Sequence, residues 1–248
     1  MKLITLNTWG GRVNKDLLSF LENKRETIDI FCFQEVYNKA IPRMHPEQGG
    51  LTPNLNLFEN MERSLPNHRG YFRPQYLETY GLAVFVKKDI HVNAEGESFV
   101  HLYKGFIPEG GTGPHAKNVQ SVSIKYKDKD LHIFNFHGLW NGGGKSDSEP
   151  RLEQSRKLVE YIKSFEGEKV LVGDFNLLPD TESLKLVEKT PLRNLIKEYE
   201  ITSTRTSYYT KEGRFADYVF VNNTVKVIDF KVLPDEVSDH APLFIKFE

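Results

Sequence analysis

The chain has 248 residues, of which 39% are hydrophobic, 12% aromatic and 27% charged, and 33 Lys+Arg against 34 Asp+Glu leave a formal net charge of −1. That composition excludes a disordered chain, and the balanced charge excludes a strongly basic nucleic-acid coat while leaving room for a local basic groove. No apolar run approaches the ~18–20 residues of a membrane helix, so no membrane insertion is expected.

In chain order, Leu3–Thr8 alternates loosely and ends at Trp9-Gly10-Gly11, a strand meeting a turn. Asp16–Lys24 carries Leu17, Leu18, Phe20 and Leu21 on a helical face. Ile28–Phe33 reads as a strand buried on both sides; Cys32, the single cysteine, lies inside it and reads as a small core hydrophobe. Leu55–Leu65 looks helical. Gly81–Val86 and Ile90–Val100 read as strands separated by the charged turn Lys87-Lys88-Asp89, and Val119–Tyr126 and Leu131–Phe136 as a hairpin around Lys127–Asp130. Arg151–Phe165 is the clearest helix, with acids near its start where the helix dipole favours them. Val170–Val172 is a short buried strand. Thr181–Val187 and Leu192–Tyr199 read as short helices, and Tyr218–Val221, Val225–Leu233 and Leu243–Phe247 as strands.

Strands lie at both ends with helices between, and no Gly- or Pro-rich linker divides them. The expectation is one α/β (α+β) domain over residues 1–248, two packed β-sheets with helices outside. Long polar loops at Tyr37–Asn54, Tyr103–Lys117 and Leu139–Pro150 suit functional segments. One cysteine allows no internal disulfide, and no secretory signal is visible, so the cytoplasm is the expected compartment.

Six polar blocks directly follow or precede apolar strands, where a charge is costly unless it is paired or binds a metal. Glu35 follows Phe33-Gln34, as a strand cap or as a metal ligand. Asp174 and Asn176 follow Val170–Val172 and Gly173, as an Asx turn or as two groups aimed into one cleft. Asp239-His240 precedes the last strand, either in a surface turn or as a carboxylate and an imidazole for chemistry. His137 ends the Leu131–Phe136 strand, Asp217 precedes Tyr218, and Asn7 ends the first strand; each has an ordinary structural role open to it. Together they deliver oxygens and imidazoles and no nucleophilic Ser or Cys elbow. That set suits Mg²⁺, with Mn²⁺ as the alternative, and water attacking a phosphate ester.

The blocks Leu6-Asn7-Thr8-Trp9, Gln34-Glu35-Val36, Asn135-Phe136-His137, Gly173-Asp174-Phe175-Asn176, Asp217-Tyr218-Val219-Phe220 and Ser238-Asp239-His240, in this order, resemble the signature blocks of the endonuclease/exonuclease/phosphatase superfamily. The resemblance implies a four-layer α/β/β/α sandwich with its site at one end of the paired sheets. It implies Glu35 as the main Mg²⁺ ligand, with Asn7 and Asp239 completing or supporting the shell. Asp174, helped by Asn176, would orient or deprotonate water. His240, its ring held by Asp217, would contact the scissile phosphate, and His137 would donate to a phosphate oxygen or assist the leaving group. Trp9 stands where some nucleases of the family carry an acidic second ligand, which favours one dominant metal.

The substrate is less legible. The charge of Arg193–Arg214 reads first as a solvated face, with phosphate contact by Lys117, Lys145 or Arg205 as the sharper hypothesis. The clusters Gly110-Gly111-Thr112-Gly113 and Gly142-Gly143-Gly144-Lys145 lack P-loop spacing and read as flexible loops beside a substrate, with His115 exposed nearby. Phe106-Ile107 and Leu139-Trp140, the only candidates for bilayer contact, read as core or loop-anchoring residues. The expected partner is a phosphate-ester substrate, small or single-stranded; a DNA or RNA nuclease is the alternative, and a non-catalytic binding module a further one. No protein partner is inferable.

Overall fold

A computed structural model describes residues 1–41, 50–109 and 113–248. Twelve strands form two six-stranded sheets. In the first sheet, β1 (Lys2–Asn7) and β2 (Ile30–Tyr37) run parallel, joined by helix α1 (Asn14–Lys24). Around this pair lie β3 (His68–Tyr76), β4 (Tyr80–Lys87), β11 (Val227–Val232) and β12 (Leu243–Phe247), in the order β11-β12-β1-β2-β4-β3. In the second sheet the parallel pair is β7 (Lys129–His137) and β8 (Glu168–Asp174), joined by α3 (Glu149–Lys163). Its other strands are β5 (Val92–His101), β6 (Lys117–Tyr126), β9 (Leu192–Asn194) and β10 (Asp217–Asn222), in the order β5-β6-β7-β8-β10-β9. Helices α2 (Leu57–Ser64), α4 (Glu182–Glu188) and α5 (Leu195–Glu198) complete the described elements.

The central strands are apolar on consecutive residues because both faces are covered. Leu3, Ile30 and Cys32 turn inward, into a core shared with Val122, Ile124 and Ile133 of the second sheet. Ile4, Leu6, Phe31 and Phe33 turn outward, under Leu17, Phe20 and Leu21 of α1 and Met61 of α2. The expected sandwich is therefore the observed one. No helix among the described residues is long and apolar enough to cross a membrane.

Several local expectations are corrected. β3 was invisible in the sequence, because His68-Arg-Gly-Tyr-Phe-Arg-Pro mixes charges, Gly and Pro with half-buried residues. Leu192–Tyr199 is not one helix. Leu192–Asn194 pairs with β10, and the Asn194 side chain then accepts from Ile196 N at 3.0 Å to start α5. The turn after β4 carries the chain from one sheet to the other. Ile107 and Trp140, expected in core or loop-anchoring roles, are exposed, whereas Leu139 is buried. The glycine cluster at 110–112 and residues 42–49 of the first long loop lie outside the described residues.

Between the sheets, beneath one end of the sandwich, runs a belt of buried amides. Gln34 donates to Asn135 Oδ1 at 2.6 Å and to Thr5 Oγ1 at 3.1 Å. Asn135 donates in turn to the carbonyl of Phe33 at 3.0 Å. At the side where β3 and β5 are the sheet edges, Arg73 of β3 forks onto Glu95 of β5, its Nε 2.9 Å from Oε2.

Candidate active site

Parallel strands deliver their carboxyl ends to the same side of a sheet, the place where such folds leave a crevice. Here both parallel pairs end at the same end of the sandwich. Asn7, Glu35, His137 and Asp174 come from the ends of β1, β2, β7 and β8. Asp217 opens β10 directly opposite Asp174, and Asp239-His240 leads into β12, so both join the same end.

Local backbone geometry aims these groups. In β2 two residues, Gln34 and Glu35, occupy the space opposite Leu82 of β4, a bulge in which Glu35 has φ +57°. A bulge redirects a side chain that regular alternation would bury. The Thr8 hydroxyl pins it by donating to the carbonyls of Gln34 at 3.0 Å and Glu35 at 2.9 Å, sharing one proton between two acceptors. On β8, Gly173 has φ +135°, and a Cβ there would lie 2.0 Å from the Phe136 carbonyl oxygen. Only glycine fits, and the turn it allows presents Asp174 to the crevice.

Asn7 bridges the two central carboxylates. Its Nδ2 donates to Asp174 Oδ2 at 2.8 Å and to Glu35 Oε1 at 3.1 Å, while its Oδ1 accepts from Trp9 N at 2.9 Å. Asp174 Oδ1 accepts from Asn176 N at 2.8 Å. His137 Nε2 lies 3.9 Å from both Glu35 Oε1 and Asp174 Oδ2, and its buried Nδ1 has no hydrogen-bond partner. Burial holds the His137 ring well below the usual imidazole pKa, and the Lys117 ammonium adds to the effect. Burial raises the Glu35 carboxyl, opposed by the Asn7 hydrogen bond and reinforced by the charge of Asp174.

His240 directs Nδ1 at both oxygens of Asp217, 2.8 and 2.9 Å away, and its Nε2 lies 3.7 Å from Asp174 Oδ2. Asp217 Oδ2 also accepts from the Thr204 hydroxyl at 2.9 Å. Burial pushes Asp217 up to about 6 and His240 down to about 4, which at neutral pH leaves a carboxylate beside a neutral imidazole. An approaching phosphate would favour the protonated imidazole and make Nε2 a donor.

All three candidate cations line the crevice, a cavity of about 740 Å³. The solvated-face reading fails for Arg205. Its side chain is covered, ion-paired with Asp239 Oδ2 at 3.0 Å, and its guanidinium lies 4.1 Å from the centre of the Tyr209 ring. Lys145 is buried rather than mobile. Its Nζ donates to the carbonyls of Phe215 at 2.7 Å and Gly213 at 3.2 Å, and burial lowers its pKa to about 8. The loop that carries it is tied by Arg151, which donates to the carbonyls of Gly144 at 2.6 Å and Leu139 at 3.2 Å. Lys117 is only 2% exposed. His115 is half-buried between the rings of Tyr76 and Tyr80 rather than exposed, and burial drives its pKa to about 2.

Two triads of side chains come close enough to share one ion: Glu35, His137 and Asp174, and Asp174, Asp217 and His240. Asp239 belongs to neither triad, but its Oδ1 lies 3.8 Å from His240 Nε2 while its Oδ2 is held by Arg205. Asn7 turns its amide nitrogen, not its oxygen, to the carboxylates.

The sequence profile of the endonuclease/exonuclease/phosphatase family matches residues 4–240. The chain belongs to that family. The fold agrees with it. A mannosyl-6-phosphatase from Bacteroides thetaiotaomicron is similar over 100% of this chain and 99% of its own, with TM-score 0.74 and 19% identity. An endonuclease/exonuclease/phosphatase from Bacteroides vulgatus is similar over 100% and 98%, with TM-score 0.72 and 17% identity. D. rerio TDP2, complexed with a single-strand DNA product, is similar over 100% and 98%, with TM-score 0.72 and 15% identity. No curated protein sequence matches the chain at a significant level. Members of the endonuclease/exonuclease/phosphatase family are hydrolases of phosphate esters and generally use divalent metals.

Residues the sequence did not mark complete this family member's site. Thr204 braces Asp217, and its carbonyl accepts from Ala241 N at 3.0 Å beside His240. Ser238 donates to the Asn7 carbonyl at 2.7 Å, tying the last block to the first. Both of the chain's tryptophans, Trp9 and Trp140, line the crevice with Tyr209. A polar residue's neighbours across the fold leave no local signal; the aromatic residues beside Gly10 and Asn141 carried a weak one.

Proposed function

We propose that the chain acts as one domain, a cytoplasmic metal-dependent phosphoesterase that hydrolyses a phosphodiester or phosphomonoester by attack of water. The observation that supports this most strongly is the convergence of Glu35 and Asp174, bridged by Asn7, with His137 and the Asp217-oriented His240. Glu35 is a carboxylate on the crevice floor with one amide donor and a second carboxylate beside it, a combination that a hard cation relieves. Glu35 would therefore hold Mg²⁺ or Mn²⁺, with Asp174 as its nearest acidic neighbour and Asn7 and Asp239 in support. When bound, such an ion supplies Lewis-acid neutralisation of charge on the phosphoryl oxygens.

The chain's own groups account for the rest. Asp174, fixed by Asn7 and Asn176, orients water and receives its proton. His240 Nε2 and His137 Nε2 face Asp174 Oδ2 and stabilise the phosphoryl oxygens or the leaving group. Asp217 holds His240 in one orientation. Lys117, Lys145 and Arg205 draw the anionic ester into the crevice. The favoured substrate is small or single-stranded, because the basic groups gather in one cavity rather than along an extended groove. A nuclease is the second reading, favoured by Trp9 and Trp140 at the crevice, on which bases can stack.

The test is hydrolysis of a panel with Mg²⁺, Mn²⁺ or EDTA. The panel holds p-nitrophenyl phosphate, bis-p-nitrophenyl phosphate, sugar and inositol phosphates, sphingomyelin, RNA, and single- and double-stranded DNA. EDTA-sensitive cleavage that disappears in Asp174→Ala is expected. Absence of cleavage together with absence of metal binding would transfer the assignment to a binding module.

A further inference from the structure

Lys117 opens β6 at the wall of the crevice. It is 2% exposed, yet among the described residues no carboxylate lies within ion-pair distance of it. Among the described residues its ammonium has one hydrogen-bond partner, His115 Nε2, 3.3 Å from Nζ. His115, wedged between two tyrosine rings, is neutral and can accept one ammonium proton. Two N–H groups of Lys117 are then left for something that enters the crevice. Lys145 differs: two of its three protons go to backbone carbonyls. Arg205 differs too, its charge being answered by Asp239.

Lys117 also sits close to the reaction centre. Its charge is felt by Glu35, Asp174 and His137, whereas Lys145 couples to Asp174, Asp217 and Asp239, and Arg205 to Asp217, Asp239 and His240. Of these three cations Lys117 is the one coupled to Glu35 and His137, and it shares Asp174 with Lys145. A phosphoryl group in transfer from a monoester carries three non-bridging oxygens; one from a diester carries two, the third being capped by carbon. His137 and His240 answer two. A buried ammonium with two free donors answers a third and is left facing an uncharged substituent when that oxygen is esterified. Leaving a buried charge in that state is strongly unfavourable.

We infer that this site selects a terminal phosphate, a phosphomonoester dianion over a diester, and that Lys117, positioned by His115, is the specificity-determining residue. The inference rests on the phosphoesterase reading and narrows it to one substrate class. No atom transfer beyond that hydrolysis is involved: water adds to phosphorus, the ester oxygen leaves with a proton, and orthophosphate is released.

The experiment compares p-nitrophenyl phosphate with bis-p-nitrophenyl phosphate, which share a leaving group, in the wild type, Lys117→Met and Lys117→Arg. The wild type is expected to show the higher kcat/KM on the monoester. Lys117→Met should lower the monoester value by about 30-fold or more while changing the diester value several-fold at most. Lys117→Arg should restore part of the ratio. A second arm follows melting temperature with orthophosphate or dimethyl phosphate, with and without Mg²⁺. Orthophosphate should raise the wild-type Tm more than dimethyl phosphate does, and Lys117→Met should abolish the difference. A wild type that prefers the diester, equal losses on both esters in Lys117→Met, or equal Tm shifts with the two anions would each overturn the inference. If neither ester is cleaved, the enzyme reading fails on that arm while the Tm arm still decides for or against Lys117.

Discussion

The two ends of the sandwich treat charge in opposite ways. At the end where β2, β7 and β8 begin, charges meet partners near solvent: Lys87 with Asp29 at 3.4 Å, Lys129 with Glu168 at 2.7 Å, Lys127 and Lys226 with Glu248 at 2.9 and 2.8 Å. Such pairs are worth ~0–1 kcal/mol each and tolerate replacement. At the other end Glu35, Asp174, Asp239, Lys117, Lys145, Arg205 and three imidazoles crowd into one crevice, with Asp217 behind His240, mostly buried and not matched one to one. The same residue types thus serve solubility at one end and perturbed chemistry at the other. Clustering of that kind marks functional sites because it costs stability that a plain fold would not give up.

The comparison breaks most visibly in activity. Asp174→Ala should reduce turnover on the preferred substrate by about 10³-fold and His240→Ala by about 10²-fold, through loss of the water-orienting carboxylate and of a phosphate donor. Steady-state kinetics in Mg²⁺ checks both, and near-normal kcat in either variant removes that residue from the mechanism. Next in size is metal response. Glu35→Gln should lose the rise in melting temperature that Mg²⁺ gives the wild type; an unchanged rise would move the ligand set away from Glu35. Thr204→Val leaves Asp217 one donor short and should cost about 1–3 kcal/mol in urea unfolding while lowering kcat several-fold. Unaltered stability and rate would make Thr204 a bystander.

The smallest effect belongs to the far end. His68 donates from Nε2 to the Ile28 carbonyl at 3.0 Å, and burial lowers its pKa below the ordinary 6.5. The unfolded chain therefore takes up a proton there below about pH 6.5 while the folded chain resists it. The sign is fixed: stability is full above that pH and falls as pH drops. His68→Asn should show a smaller Tm loss between pH 7.5 and 5.5 than the wild type, with no change in kcat at pH 7.5. An equal loss would show that His68 titrates normally in the folded chain.

The contrast between the ends also explains what the sequence disclosed. The site blocks were legible because each is a polar residue set hard against an apolar strand, and strand ends are where a fold exposes groups. Cys32 was legible as core for the same reason. β3 was not, since Gly70 and Pro74 erase the alternation that a half-buried strand needs. The pairing of Arg205 with Asp239 was not, since 34 residues separate them and only the antiparallel bridge between Arg205 and His240 brings them together. Nor was the bulge at Glu35, which depends on the spacing of β4 opposite it. Lys117 and Lys145 are visible in the sequence as charges, but their burial arises from packing that no local pattern records.

The fork of Arg73 onto Glu95 bears on how these molecules behave when crowded together. β5 is an outer strand whose backbone faces solvent along one side, the situation in which one chain can add itself to another. Here register slips twice, between Val92 and Ala94 and between Phe99 and His101, and Glu95 and Glu97 stand between the slips. Arg73 and Lys104 hold those acids in place. A second copy offering its own β5 would bring four carboxylates against one another across a bent edge, so strand-to-strand polymerisation is disfavoured where the fold is most open to it.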